Sequence, residues 1–314
     1  MWTHMYIRLF CLTIFQALDK CYGQYKSKVK KQCGKNVDLN SFDAILFHSP
    51  FCKLVQKSLA KLAFNDFKAN VDSDMYSESL RTKFANVTLE DSYTNKEVEI
   101  DFMDFSKNTF EAKTKPSLML ATNVGNMYTP SLYGGLVSFI CSHENAQDMV
   151  GKHVALFSYG SGLVSSFFSL VVKPNQGFED LHDNFRSDVL TRLNSRRKAD
   201  PEKFTEAMKL REDFFTETLN ILSATKKAEE NKNKDLCPVG SIAELFPSTW
   251  YLESVDDKLR RKYLKTDGRH VAATNGTSNW NLLVIIDNND DTYNRKKEKK
   301  DQIKSIIFTY EKDS

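Results

Sequence analysis

With 314 residues, 41% hydrophobic and 27% charged, and only 12 Gly and 7 Pro, the chain has the balance of an ordinary soluble globular protein. That length supports one large core or two smaller ones. A net charge of +3, from basic residues in scattered clusters without aromatic interleaving, argues against a nucleic-acid partner.

The N-terminal stretch "MYIRLFCLTIFQALDK" imitates a short signal peptide. Gln16 and Asp19 interrupt its apolar run, and no small-residue cleavage site follows, so it predicts an amphipathic helix that packs into the fold. Helical character extends over 14–34. No other segment approaches the length of a membrane-spanning helix, so no membrane partner is expected. Two sequons, Asn86–Val87–Thr88 and Asn275–Gly276–Thr277, carry weight only in a secreted chain. Six cysteines, at 11, 21, 33, 52, 141 and 237, form no C-x-x-C pair and no ligand-like spacing. They read as reduced thiols, with no metal site.

Next, "SFDAILFHSP" gives a buried strand over Ala44–Phe47, ended by Ser49–Pro50. Ser49 suits an N-cap and Pro50 the first helical position. The helix that follows places Phe51, Leu54, Val55, Leu59 and Leu62 at helical spacing, with Lys53, Lys57 and Lys61 on another face. His48 thus stands between a strand and a helix N-terminus, where unpaired N–H groups and positive potential favour a neutral imidazole. Such a histidine either polarises a ligand carbonyl or satisfies a buried backbone carbonyl. Lys53 and Lys57, one turn apart, either hold a phosphate or form a solvated face. Cys52 is the thiol nearest to His48 in sequence, but its place in the first helical turn favours burial over nucleophilic catalysis.

Residues 66–115 read as a polar insertion with some helix, away from the core. "KPSLMLATNVGNMYTPSLYGGLVSFICSH" predicts a strand-like run, a Gly-Asn turn and an apolar helix from about Thr129. Asn126 in that turn is either a turn residue or an amide aimed at a ligand carbonyl. "GKHVALFSYGSGLVSSFFSLVV" is two β-rich runs around Gly160–Ser161–Gly162, a hairpin or tight reversal whose tip lets a backbone approach a ligand. A helix begins at Asp200–Pro201, a charged loop spans 223–237, order returns at "LFPSTWYLESVDDKLRRKY", and the tail 266–314, apart from "LLVIID" and "IIFTY", looks loosely organised.

"ALDKCYGQY", "FHSPFCKLVQKSLAKL", "GNMYTPSLYGGL", "FSYGSGL", "MKLRED" and "TWYL…VDDKLRRKY", in this order, resemble the consecutive motifs of hydroxymethylglutaryl-CoA synthase over residues 14–265. The resemblance implies an α/β thiolase-like fold, layered α/β/α/β/α, of which this chain carries essentially the C-terminal half with part of the central mixed sheets. Residues 1–13 then form an atypical extension, and 66–115 and 223–237 insertions.

It also implies an acyltransferase that condenses acetyl-CoA with acetoacetyl-CoA in the mevalonate route to isoprenoids and sterols. The family enzyme works as a homodimer, with CoA thioesters as substrates and no separate cofactor. By the same resemblance His48 positions and polarises the acetoacetyl ketone, Lys53 and Lys57 contact CoA, and Asn126 and Ser161 bind the acetoacetyl portion. In that family the acetylated cysteine and the glutamate base precede the helix matched by "ALDKCYGQY". None of the six cysteines here matches the nucleophile. The expectation is therefore a truncated synthase, inactive alone and cytoplasmic, with a mitochondrial location as the alternative. The competing readings are a non-catalytic protein that binds CoA or an intact synthase, and a secreted glycoprotein derived from the family.

Overall fold

The computed structural model describes residues 2–160, 163–196, 198–209, 212–213, 245–255, 260–266 and 308–311. In chain order the elements are α1 (Trp2–Cys33), β1 (Ala44–Phe47), α2 (Cys52–Ala69), α3 (Glu78–Phe84), α4 (Leu89–Ser92), α5 (Lys96–Phe105), α6 (Lys107–Lys113), α7 (Met119–Val124), α8 (Ser131–Cys141), β2 (His153–Gly160), β3 (Val164–Val171), α9 (Gln176–Asn194), β4 (Trp250–Val255), β5 (Arg261–Lys265) and β6 (Phe308–Glu311). Two units divide them: residues 1–195 with 281–314, and residues 196–280.

In the first unit the sheet order is β1-β2-β3-β6. β1 and β2 are parallel, with Ala44 opposite Val154 and Phe47 opposite Phe157. β2 and β3 form the expected antiparallel hairpin, and β6 pairs antiparallel with β3. Side chains alternate across the sheet, as a pleated strand requires. Ile45, Phe47, Ala155, Phe157 and Phe167 enter one core with α1 and α2, while Ala44, Leu46, Val154 and Leu156 enter another with Leu132, Phe139 and Ile140 of α8. Both faces are covered, which is why "AILF" is buried at all four positions. The outer edge of β1 is closed by side chains instead of another strand. Thr114 Oγ1 donates to Ile45 O (2.9 Å), and Lys113 Nζ donates to Leu39 O (3.0 Å) and Phe42 O (2.6 Å). In the second unit β4 and β5 form an antiparallel hairpin, and residues 201–209 are helical from the expected Pro201 start.

Three sequence expectations change. Residues 66–115 are not away from the core, because Phe84, Val98, Phe102 and Phe110 of α3, α5 and α6 are buried with Phe64 and Phe67 of α2. The segment after Lys115 is helical: Pro116 opens a 3-10 turn that runs into α7, and Leu120 N–H donates to Ser138 Oγ of α8 (3.1 Å). Helix α2 starts at Cys52 and not at Pro50, since Phe51 is still extended (φ −158, ψ 144) and half exposed. Ser49 is therefore not its N-cap. In the tail, Phe308–Glu311, which overlaps the excepted run "IIFTY", forms β6; the rest, like the loop 223–237, lies outside the described residues.

Lys61 also leaves the cationic face on which the sequence put it. Each four-residue step turns a helix by ~40° beyond a full turn, so the third lysine of the series rotates toward α1. There it is 7% exposed and sits 3.0 Å from Asp19, itself 6% exposed. Leu89 O (3.2 Å) and Ser92 Oγ accept from the same ammonium, and Tyr93 hydrogen-bonds Asp19 while its ring lies 4.3 Å below Lys61. Burial pushes the Asp19 carboxyl up and the Lys61 ammonium down, each partly offset by the other's charge. Removing one member of such a pair leaves an uncompensated buried charge, at a cost of about 3–5 kcal/mol. Urea denaturation should show that loss for Lys61→Met, and most of it should be recovered when Asp19→Leu is added; equal stabilities for wild type and Lys61→Met would show the pair to be inert.

Candidate active site

His48 is held by the sheet and not by its own side chain. Its backbone N–H donates to Phe157 O (2.9 Å), which extends the β1–β2 ladder one residue beyond β1. The next residue is then tied to α8, because Ser49 N–H donates to Ser131 Oγ (3.0 Å) and Ser131 Oγ donates back to Ser49 O (3.4 Å). These bonds fix the turn so that the His48 ring stands edge-on to Tyr159 of β2, centroids 5.0 Å apart. Among the described residues neither imidazole nitrogen has a hydrogen-bond partner. Burial lowers the pKa below its ordinary value of 6.5, which keeps the ring neutral, as a group that polarises a carbonyl requires.

Helix α2 then starts without a side-chain cap and with no acidic residue in its first turn. A first turn that instead carries Lys53 opposes the helix-dipole preference and concentrates positive potential there. Lys53 Nζ donates to Gln56 Oε1 (2.9 Å), and Lys57 Nζ lies 3.1 Å from Glu99 Oε2. Both lysines line one groove of about 440 Å³ between α2 and α5, closed by Met103, Asp104 and Lys107. The structure thus brings Lys53 and Lys57 together as the spacing predicts.

Asn126 occupies the α7–α8 turn, where Gly125 (φ 84) and Tyr128 (φ 56) both take positive φ. Its Oδ1 accepts from Tyr128 N–H (2.7 Å). That carbonyl serves the turn. Ser161 lies outside the described residues; Tyr159, two positions earlier on the same hairpin, reaches His48. Cys52 Sγ lies 3.6 Å from Thr122 Oγ1, and its contact is therefore with α7 and not with the histidine.

Sequence reasoning missed Tyr159, Ser131 and Glu99. Tyr159 was within reach, since it shares strand parity with buried Phe157 inside the motif "FSYGSGL". Glu99 was not, because it comes from α5, on a segment assigned away from the core.

The fold and this junction define a thiolase-like α/β chain. Solved structures similar to it include MvaS in complex with 3-hydroxy-3-methylglutaryl coenzyme A (TM-score 0.53, 21% identity, 82% of this chain and 51% of that one). PksG, an HMG-CoA synthase from Bacillus subtilis, has a TM-score of 0.50 at 20% identity, over 82% of this chain and 51% of that one. The sequence matches the family model described as hydroxymethylglutaryl-coenzyme A synthase C terminal over residues 8–266, and the chain belongs to this family. The mitochondrial hydroxymethylglutaryl-CoA synthase of Mus musculus is 43% identical over 261 residues, 80% of this chain and 48% of the relative. Hydroxymethylglutaryl-CoA synthase 2 of Blattella germanica is 43% identical over 258 residues, 79% of this chain and 52% of the relative. The cytoplasmic synthase of Homo sapiens is 40% identical over 258 residues, 79% and 46% respectively. The chain spans about half the length of the curated relatives it matches.

A depressed histidine pKa has a definite sign. The folded state disfavours the imidazolium, so His48 contributes stability above its ordinary 6.5 that is lost as pH falls through the lower folded value. An NMR titration should therefore place the His48 midpoint below 6.5, and Tyr159→Ala, which uncovers the ring, should move it back up. A midpoint at or above 6.5 in the native chain would show that burial does not govern this ring.

Proposed function

We propose that these residues supply the acceptor side of hydroxymethylglutaryl-CoA synthase, which binds acetoacetyl-CoA and polarises its ketone for attack by an acetyl carbanion. The observation that carries the reading is the neutral His48 imidazole, without a hydrogen-bond partner among the described residues, fixed just before the helix that bears Lys53 and Lys57. In the reaction so assigned, His48 N–H donates to the ketone oxygen as negative charge develops there, which stabilises the transition state more than the ground state. Lys53 and Lys57 hold the phosphates of CoA, and Asn126 and Ser161 orient the acetoacetyl chain. The acetylated cysteine and the glutamate base belong to the part of the family that this match does not span. Neither a metal nor an organic cofactor enters this chemistry, since the thioester activates the carbon that attacks.

In this reading the working enzyme is a cytoplasmic homodimer; relatives named as mitochondrial and as cytoplasmic are both similar to the chain. The competing role, a CoA-binding or synthase-associated protein without catalysis, uses the same lysines and differs in what His48 does.

Titration calorimetry on the full chain distinguishes them. Acetoacetyl-CoA should bind more tightly than CoA, Lys53→Ala with Lys57→Ala should weaken both about tenfold or more, and His48→Ala should erase only the preference. Incubation with labelled acetyl-CoA should leave every cysteine unlabelled. Equal affinities for CoA and acetoacetyl-CoA, or label on any of the six cysteines, would contradict the acceptor-side assignment.

A further inference from the structure

Three charged residues of the α2–α5 groove remain without a role: Glu99, Asp104 and Lys107. Lys107, the first residue of α6, lines the groove with Lys53 and Lys57, is exposed, and makes no side-chain ion pair or hydrogen bond among the described residues. Glu99 presents both carboxylate oxygens to lysines, Oε2 to Lys57 and Oε1 to Lys96, each at 3.1 Å. The groove therefore combines three lysines with two carboxylates, the exposed Asp104 and Glu99, of which Glu99 is already seated on Lys57.

The exposure of that pair separates it from a structural ion pair. The side chains of Lys57 and Glu99 are 25% and 26% exposed, against 6% and 4% for Lys61 and Asp19. A buried pair cannot be opened without stranding a charge, whereas a half-exposed one contributes little and can exchange partners. A phosphate carries more charge than a carboxylate and offers the same two-oxygen face. It is therefore the anion that competes with Glu99 for Lys57. Lys107, across the groove on another helix, gives a second direction of approach that the two α2 lysines cannot provide by themselves.

We propose that this groove is a three-lysine anion site in which Lys107 is the third cation for the phosphate end of a CoA ligand, and Glu99 the internal anion that a phosphate displaces from Lys57. The proposal rests on the reading of Lys53 and Lys57 as CoA contacts and adds to it a residue that raises affinity and one that restrains it. Glu99 touches no reacting atom; it tunes occupancy, and its removal strengthens binding where removal of a ligand contact weakens it. Part-burial alone would raise its pKa, but the hydrogen bonds and charges of Lys57 and Lys96 hold it below the ordinary value, so the internal anion stays ionised.

CoA affinity of the full chain, measured by titration calorimetry at low and high salt, tests this. Glu99→Gln should tighten CoA about two- to fivefold, and Lys107→Gln should weaken it about as much and flatten its salt dependence. With Lys57→Gln already present, Glu99→Gln should change nothing, because the competition it removes no longer exists. Thermal melts confirm that each variant is folded. A Glu99→Gln chain that binds CoA no better than wild type overturns the proposal, as does a Lys107→Gln chain with unchanged affinity. If Lys53→Gln and Lys57→Gln weaken CoA while those two do not, the proposal falls and the CoA reading stands. A wild-type chain that does not bind CoA removes both.

Discussion

The hydrogen bond from His48 N–H to Phe157 O is the constraint on which the candidate site depends. It exists because β1 and β2 run parallel in a register that sets Phe47 opposite Phe157. Parallel pairing demands a long connection, and here that connection comprises α2 to α8, which supply the groove and Ser131, while β2 supplies Phe157 and Tyr159. A shift of the register by one residue would move Ile45 and Phe47 to the other face. It would also withdraw His48 from Tyr159. The alternation of the strands between two aromatic and aliphatic cores thus specifies the position of a polar group that contributes little to either.

The polar interactions of this unit fall into two kinds. Asp19 with Lys61, and Asp66 with Lys26, Tyr22 Oη and Leu39 N–H, pair charges where α1 packs against α2. Lys57 with Glu99 is half exposed and lies where α2 meets α5. The same helix therefore carries one lysine buried in a pair and two others that line the groove. Which is which follows from ~40° of rotation per four-residue step and not from the residue type.

That distinction also marks what the sequence could tell. Ala44–Phe47, the β2–β3 hairpin and the run Leu54, Val55, Leu59, Leu62 were legible because burial repeats at the strand or helix period. His48 was legible as a junction residue because a strand pattern stops beside a helix pattern. Ser49 was misread as a cap because local preference favours it, whereas its backbone is claimed by Ser131, 82 residues away. Residues 115–124 were misread because a short apolar run has no decisive period, and packing on α8 chose the helix. Phe102 and Glu99 were not legible at all, since their partners on α2 come from a distant stretch of chain. Family motifs recovered Lys53 and Lys57 as a pair, but they gave no account of the carboxylate that holds one of them.

Fold membership alone would not assign chemistry; the account rests on His48 facing the acyl end of a bound thioester. The most direct measurement is the imidazole nitrogen spectrum of His48 in the full, isotope-labelled chain, recorded with CoA and with acetoacetyl-CoA. The account predicts that acetoacetyl-CoA moves the His48 resonances and leaves the ring neutral, while CoA alone perturbs Lys53 and Lys57 with little change at His48. Identical His48 spectra with the two ligands, or an imidazole that becomes protonated on binding, would contradict it.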